Sequence, residues 1–339
     1  MKEQVKSLWK LCFPDDSDDF VGLYFSLRYT DEINSAITEN GRIVSALQRI
    51  PYPMRFNDAV IPVAYISGAC THPDFRSRGL MSRLLDEAHR KMYTDGKYLS
   101  VLIPANEGLI SYYSKFGYEV CFQHNEKLLT GMCKTVDNYN YGLIFREIGL
   151  QKNELADVCE FINQQLSTRQ VSILHPLQDI MIVVSDIHLS GGQVWCSRTD
   201  EGKLCAVSLV VVSEKLVVVK ELLSVDKESE SAMIDFLLCH YSVSRIEKSS
   251  PCGMVRVINA YHMLEILSGI IKGDWIIEIY GDDVIIENNG FYIISNGGCK
   301  KTDSRSGCNN DAVYQQIHIN SLPSWLFRDM CPYMSLMLD

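Results

Sequence analysis

The order of apolar and polar positions changes period several times along the chain. Pro14, Asp15, Asp16 and Ser17 supply helix-start chemistry ahead of Phe20, Val21, Leu23, Tyr24, Phe25 and Leu27, so residues 1 to 30 are predicted helical. Asp18 and Asp19 suit the positive end of the helix dipole, and the acidic cluster is taken as a cap rather than a metal site. Two apolar runs between Ile33 and Ile50 then flank Asn40-Gly41, a strong hairpin signal. Ala59 to Cys70 is nearly continuous in apolar and β-branched residues and predicts a buried strand. From Gly79 to Tyr93 the period is helical: Leu80, Leu84, Leu85, Ala88 and Met92 share one face and charged residues the other. A short strand (Tyr98 to Pro104), a short helix (Leu109 to Lys115) and a further strand from Tyr118 follow.

A unit of similar size begins near residue 143. Leu150 to Gln165 is an amphipathic helix, Val194 to Arg198, Leu204 to Val212 and Leu216 to Ser224 are strands, and Ser229 to Tyr241 is a helix. This order roughly echoes the first unit, as a diverged duplication would. From about residue 252 the character changes. Met254 to Leu267 predicts a strand into a helix, and Asp274 to Gly298 a β-meander with turns at Gly281-Asp282-Asp283 and Asn288-Asn289-Gly290. The end, Pro332 to Asp339, is apolar enough to predict burial against the protein.

Composition narrows the function. With 32 Lys+Arg against 42 Asp+Glu the formal net charge is −10, a poor match to nucleic acid and a better one to cationic partners such as amines. No run of about 18 apolar residues is present, and no apolar segment follows Met1 to Lys10, so a cytoplasmic protein without membrane attachment is expected. The 12 cysteines are nowhere closer than nine positions and the histidines lack metal-ligand spacing, which predicts reduced cysteines and no metal.

The stretch that carries chemistry is Ile66 to Met92. A buried strand enters the turn Arg76-Ser77-Arg78-Gly79-Leu80-Met81, which opens an amphipathic helix. Such a turn points backbone N–H groups into one cavity, the helix start adds positive charge, and Gly79 allows an anion close to the backbone. Arg76 and Arg78 add fixed charge. A pyrophosphate fits, although neither a Walker A nor a Rossmann glycine pattern is present. The turn resembles the pyrophosphate loop of the GNAT N-acetyltransferases, [Q/R]-x-x-G-x-[G/A], with Arg76 and Gly79 matching and Met81 departing from the final small residue. Residues Leu102 to Glu119 resemble that superfamily's next motif, an Asn-bearing loop and a helix ending Tyr113-Ser114-Lys115-Phe116-Gly117-Tyr118. Taken with the second unit and the last segment, the whole chain resembles the Eis-type (enhanced intracellular survival) acetyltransferases.

That resemblance implies an α/β (α+β) fold with mixed sheets flanked by helices. Residues 1–125 would be a catalytic GNAT domain, 126–250 a degenerate GNAT-like domain, and 251–339 a small sterol-carrier-protein-like domain. It implies an enzyme that moves an acetyl group from acetyl-CoA directly to a small-molecule primary amine, such as an aminoglycoside, a polyamine or lysine. Homo-oligomers, hexamers among them, occur in the family. Ala69, Cys70 and Thr71 would offer backbone N–H groups to the thioester and pantetheine. Arg76, Ser77, Arg78, Gly79, Leu80, Met81 and Ser82 would hold the pyrophosphate, and Asn106, with Glu107 beside it, would touch the pantetheine arm. Tyr113 would be the general acid, with Tyr112 its rival, and the α-carboxylate of Asp339 the base. The alternative is an acyl-CoA-binding sensor or interaction protein on the same scaffold without turnover.

Overall fold

The structure, a computed structural model, describes residues 1–124, 126–130, 142–213, 216–243, 245–249, 253–295, 297–304 and 312–338. Helices α1 (Lys2–Cys12) and α2 (Asp18–Leu27) precede a hairpin of β1 (Asn34–Glu39) and β2 (Arg42–Phe56). Ser17 caps α2, its hydroxyl accepting from the Phe20 N–H at 3.0 Å. Asn40 and Gly41 take φ of +52° and +79°, as a tight hairpin turn requires. Then come β3 (Ala59–Thr71), α3 (Leu80–Thr94), β4 (Leu99–Leu102), α4 (Glu107–Ser114) and β5 (Glu119–Phe122). Side chains alternate across β2 and β3. Ile50, Tyr52, Val63 and Tyr65 meet the aromatic residues of α1 and α2, whereas Leu47, Ala64 and Ile66 meet Leu84, Leu85 and Ala88 of α3.

The next stretch holds β6 (Glu126–Thr130), β7 (Ile144–Glu147), α5 (Lys152–Leu166), β8 (Val171–Ile173), α6 (Leu177–Leu189), β9 (Gln193–Arg198), β10 (Leu204–Ser213), β11 (Leu216–Ser224), α7 (Lys227–His240) and β12 (Arg245–Ser249). The last holds β13 (Gly253–Val257), α8 (Ala260–Ser268), β14 (Trp275–Tyr280), β15 (Gly290–Ser295), β16 (Gly298–Thr302), β17 (Val313–His318) and α9 (Leu322–Phe327). The described residues form a mixed α/β fold with three sheets, ordered β1-β2-β3-β4-β13-β5, β12-β6-β11-β10-β9-β7 and β16-β15-β14-β17.

Strand order cuts across chain order. β13 lies antiparallel between β4 and β5 of the first sheet, far from both in sequence. Residues 332–334 then bridge the first sheet's two sides. Gln123 N–H donates to Pro332 O at 2.8 Å, and Tyr333 N–H donates to Val171 O at 3.0 Å. Because β8 pairs with β2, the first sheet closes on itself through this segment. Tyr333 is pinned there, its hydroxyl 2.7 Å from Glu221 Oε2 and its ring under the Arg169 guanidinium at 3.9 Å.

The expected meander between Asp274 and Gly298 is corrected at its centre. β14 and β15 pair directly, and the connection between them contains a short 3-10 turn at Ile286–Asn288 instead of a strand. The cause is Asp282, 1% exposed, whose carboxylate accepts from the N–H groups of Val284 and Ile285 and from Asn288 Nδ2. The same carboxylate meets Arg256 of β13 at 2.8 Å, and Arg256 donates to Phe116 O at 2.7 Å. A Cβ at Gly117 would fall 2.3 Å from Arg256 Nη1, which gives the glycine of the Phe-Gly-Tyr motif its reason.

Candidate functional site

β3 and β4 run parallel and pair only from Val63, Ala64 and Tyr65 to Leu99, Ser100 and Val101. Beyond Ile66 they part, and β3 continues to Thr71 while β4 stops at Leu102. Within this splayed end Gly68 takes φ +56° and the β2–β3 register slips between Ala46 and Gln48. A Cβ at Gly68 would lie 2.1 Å from the Trp9 ring, so the bulge tolerates no side chain. Ala69, Cys70 and Thr71 follow directly, on the part of β3 that β4 has left.

The turn after β3 leads into α3 through Ser77 at φ +60° and Gly79 at φ +72°. Gly79 is the N-cap of α3, no side chain caps the helix, and no carboxylate stands in its first turn. The first N–H groups of α3 are thus left for an external acceptor. A Cβ built at Gly79 meets nothing within 4 Å, so the turn faces open space. A cleft of 310 Å³ lies there, lined by Thr71, Arg76, Ser77, Gly79, Met81 and Ser82, and by Tyr112 of α4. Leu80 also lines it while its side chain packs into the core at 8% exposure. Arg76 Nε donates to Thr71 O at 3.2 Å, and Arg78 is held bidentately by Glu39 at 3.0 and 3.1 Å. Of the two arginines, Arg76 lines the cleft and Arg78 braces the turn against β1.

Asn106 and Glu107 sit exposed at the start of α4, where the Asn106 side-chain oxygen caps the helix by accepting from Leu109 N–H at 3.1 Å. The two tyrosines separate. Tyr112 lies toward the turn cleft, while Tyr113 is buried in the apolar cluster that holds Ile66, Leu80 and Leu102, the residues around the splay. Burial, and secondarily Tyr112, pushes the Tyr113 phenol up to about 12, so it keeps its proton at neutral pH.

Residues 2–121 match the family described as an acetyltransferase (GNAT) domain. The first sheet has the GNAT acetyltransferase fold. The GNAT segment is not alone in having counterparts. The whole chain is similar to a GCN5-related N-acetyltransferase from Anabaena variabilis, at 15% identity and TM-score 0.78, covering 98% of this chain and 96% of that one. A conserved protein of unknown function from Enterococcus faecalis, described as a probable N-acyltransferase, aligns at 15% identity and TM-score 0.74 over 95% and 86% of the two chains. Eis1 from Mycobacterium abscessus aligns at 12% identity and TM-score 0.68, again over 95% and 86%. No curated protein matches the chain.

Other residues at the GNAT splay carry no sequence motif. Ser67, 4% exposed on β3, donates from its hydroxyl to Leu338 O at 2.9 Å, so the chain's last described residues reach the splay. Tyr24 of α2 is buried beside Ser67, and burial raises its phenol well above the ordinary range. Asp339 lies outside the described residues. Cys70 is buried against Cys12 at the end of α1, and Cys12 Sγ lies 3.5 Å from Thr71 O. The hydrogen bond with Cys70 and the nearby Arg76 outweigh burial and bring the Cys12 thiol down to about 7, whereas the same pairing and burial push Cys70 up. The acidity therefore sits on the α1 cysteine. Among the described residues no cluster of side chains could hold a metal, and no helix is long and apolar enough to cross a membrane.

Proposed function

We propose that this protein is an acetyl-CoA-dependent N-acetyltransferase that moves an acetyl group directly to a primary amine. The observation that carries the reading is the uncapped start of α3, opening through Gly79 beside a β3 that has parted from β4. The turn of residues 76–82 holds the pyrophosphate with backbone N–H groups and Arg76. The pantetheine arm runs into the splay between β3 and the start of α4, past Asn106, and the bulged β3 offers N–H groups to the thioester oxygen. As the amine nitrogen attacks the thioester carbon, the carbonyl π pair moves to that oxygen. Collapse of the adduct breaks the carbon–sulfur bond, and Tyr113, kept protonated by burial, donates to the departing thiolate. Asp339 is the proposed acceptor of the amine proton, one position beyond the carbonyl that Ser67 holds.

We further infer that residues 126–250 are a degenerate copy of 1–125, and that 251–339 are a sterol-carrier-like unit. Apart from the inserted β8, the order α5, α6, β9, β10, β11, α7 follows that of α1, α2, β1, β2, β3, α3, which supports the duplication.

The test is calorimetry with acetyl-CoA together with thiol release in the presence of amines. Gly79→Val puts a branched side chain where φ is +72° and where the phosphates approach, and is expected to weaken acetyl-CoA binding by roughly tenfold or more with the fold retained. Unchanged affinity in that variant would remove the site assignment.

A further inference from the structure

A cleft of 520 Å³ opens between α2, α6 and residues 335–338. Its inner end is at the splay, because Ile103 follows β4 there and Leu338 is the residue whose carbonyl Ser67 holds. Somewhat more than half of its wall is hydrocarbon, with Phe20, Ile182, Val183, Leu336 and Met337 prominent, and His124, Ser190 and Lys220 form polar parts of it. Two carboxylates stand among them. Glu126 lies 2.7 Å from Lys220 Nζ, so its charge is matched. Asp186 of α6 has no ion-pair partner among the described residues. Burial, and then the neighbouring charge of Asp16, hold the Asp186 carboxyl above the ordinary carboxylate range. Asp16 is itself fixed at the foot of α2 by the Trp9 indole N–H at 2.6 Å. Ser335, also on the wall and 2% exposed, has a hydroxyl without a hydrogen-bond partner.

An apolar cleft with one unmatched anionic group and one orphaned hydroxyl is complementary to a particular shape of ligand. A cation brought against Asp186 meets a carboxylate that has no ion-pair partner among the described residues. Hydrocarbon attached to that cation removes the aliphatic wall from water. A polyhydroxylated polycation fits poorly, because its hydroxyl groups would face carbon and lose their water. We propose that this cleft takes a hydrophobic primary amine, with an alkyl or arylalkyl body and its cationic group against Asp186, and that Asp186 determines this specificity. The inference rests on the acetyltransferase reading and names the acceptor class for that site.

Binding without turnover tests it apart from that reading. The full-length protein, with CoA present, is titrated calorimetrically with hexylamine, 2-phenylethylamine and the aminoglycoside kanamycin. At least one apolar amine is expected to bind about tenfold or more tighter than kanamycin. Asp186→Asn, checked for unchanged CoA affinity and circular dichroism, is expected to weaken the apolar amine by about tenfold. Val183→Asp, which adds charge to the wall, is expected to shift preference toward kanamycin. Kanamycin binding as tightly as the amines, no heat from either apolar amine, or an Asp186→Asn variant of wild-type affinity would each overturn the proposal. If an apolar amine binds through Asp186 but acetyl-CoA releases no thiol, the acetyltransferase reading fails and the cleft's specificity stands.

Discussion

Tyr112 and Tyr113 are adjacent in sequence and differ in what surrounds them. Tyr113 lies among the residues of the splay with its proton held by burial, and Tyr112 lines the cleft at the turn before α3. Tyr113→Phe keeps the ring and removes the proton, and kcat is expected to fall by roughly tenfold or more while acetyl-CoA affinity changes little. Tyr112→Phe should act mainly on acetyl-CoA affinity. Steady-state kinetics and calorimetry on the two variants separate these effects, and exchanged behaviour would shift the acid to Tyr112. Cys12 gives a second residue-scale prediction. With its thiol lowered by the hydrogen bond with Cys70 and by Arg76, Cys12 holds more thiolate at neutral pH than an ordinary cysteine. Iodoacetamide should therefore modify Cys12 ahead of the other cysteines, and Cys12→Ser should remove that fast phase. Saturating acetyl-CoA should slow it, since Thr71, whose carbonyl lies 3.5 Å from Cys12 Sγ, and Arg76 line the cleft proposed for the cofactor. Peptide mapping by mass spectrometry reads the order of modification.

At the scale of elements, α2 and α6 are joined by one buried charged pair beside their apolar contact. Arg28, at the end of α2, brings Nε to 2.9 Å from Asp179 Oδ1 in the first turn of α6, and Asp179 is fully buried. Burial outweighs Arg28 and raises the Asp179 carboxyl, as expected of a charge taken far from water. Arg28→Met strands that carboxylate and should cost about 3–5 kcal/mol in urea unfolding. Arg28→Met combined with Asp179→Leu should recover much of the loss, and a double variant no better than the single one would show that the pair is not the source of the joint's stability. The two helices were not equally legible. Ser17 and the acidic residues after it announce α2, whereas α6 is missing from the pattern reading. Its run Ile180-Met181-Ile182-Val183-Val184 is apolar on all sides and β-branched because α6 packs on α2, α5 and the second sheet at once, which erases the helical period. The turn before α3 was legible because glycine and arginine act locally there. Ser67 was not, because its partner Leu338 is 271 positions away, and no local pattern signals a hydrogen bond at that range.

For the molecule as a whole, buried histidines set the acid limit. His175 is fully buried under the tail and against Tyr52, and burial holds its imidazole down at about 4 despite an opposing contribution from the Ser335 backbone. His89, on the buried face of α3 and bonded to Tyr118, is held well below its ordinary value by burial and then by Arg256. A histidine whose folded value is depressed favours the folded state while both states are neutral. As pH falls through about 6.5 the unfolded chain takes up a proton that the folded one refuses, and stability drops until the folded value is reached. For His175 that window runs from about 6.5 to about 4 and amounts to a loss on the order of 3 kcal/mol. Thermal melts should accordingly show Tm falling from pH 7 to pH 5, before most carboxylates titrate, and His175→Leu should flatten that slope. An unchanged slope in the variant would move the acid sensitivity elsewhere.

The position of β13 between β4 and β5 also sets a timetable for synthesis. A ribosome that has finished β5 must add about 130 further residues before β13 exists, which at roughly 5–20 residues per second takes on the order of ten seconds. For that interval the nascent chain carries an open gap with two unpaired strand edges, between β4 and β5 of the sheet on which the proposed acetyl-CoA site is built. Translation delivers the acetyltransferase motifs early and the strand that completes their sheet late. Chaperones that shield exposed strand edges would therefore be needed most while the second sheet is being made, and a fragment ending at residue 121 would be left permanently at that stage.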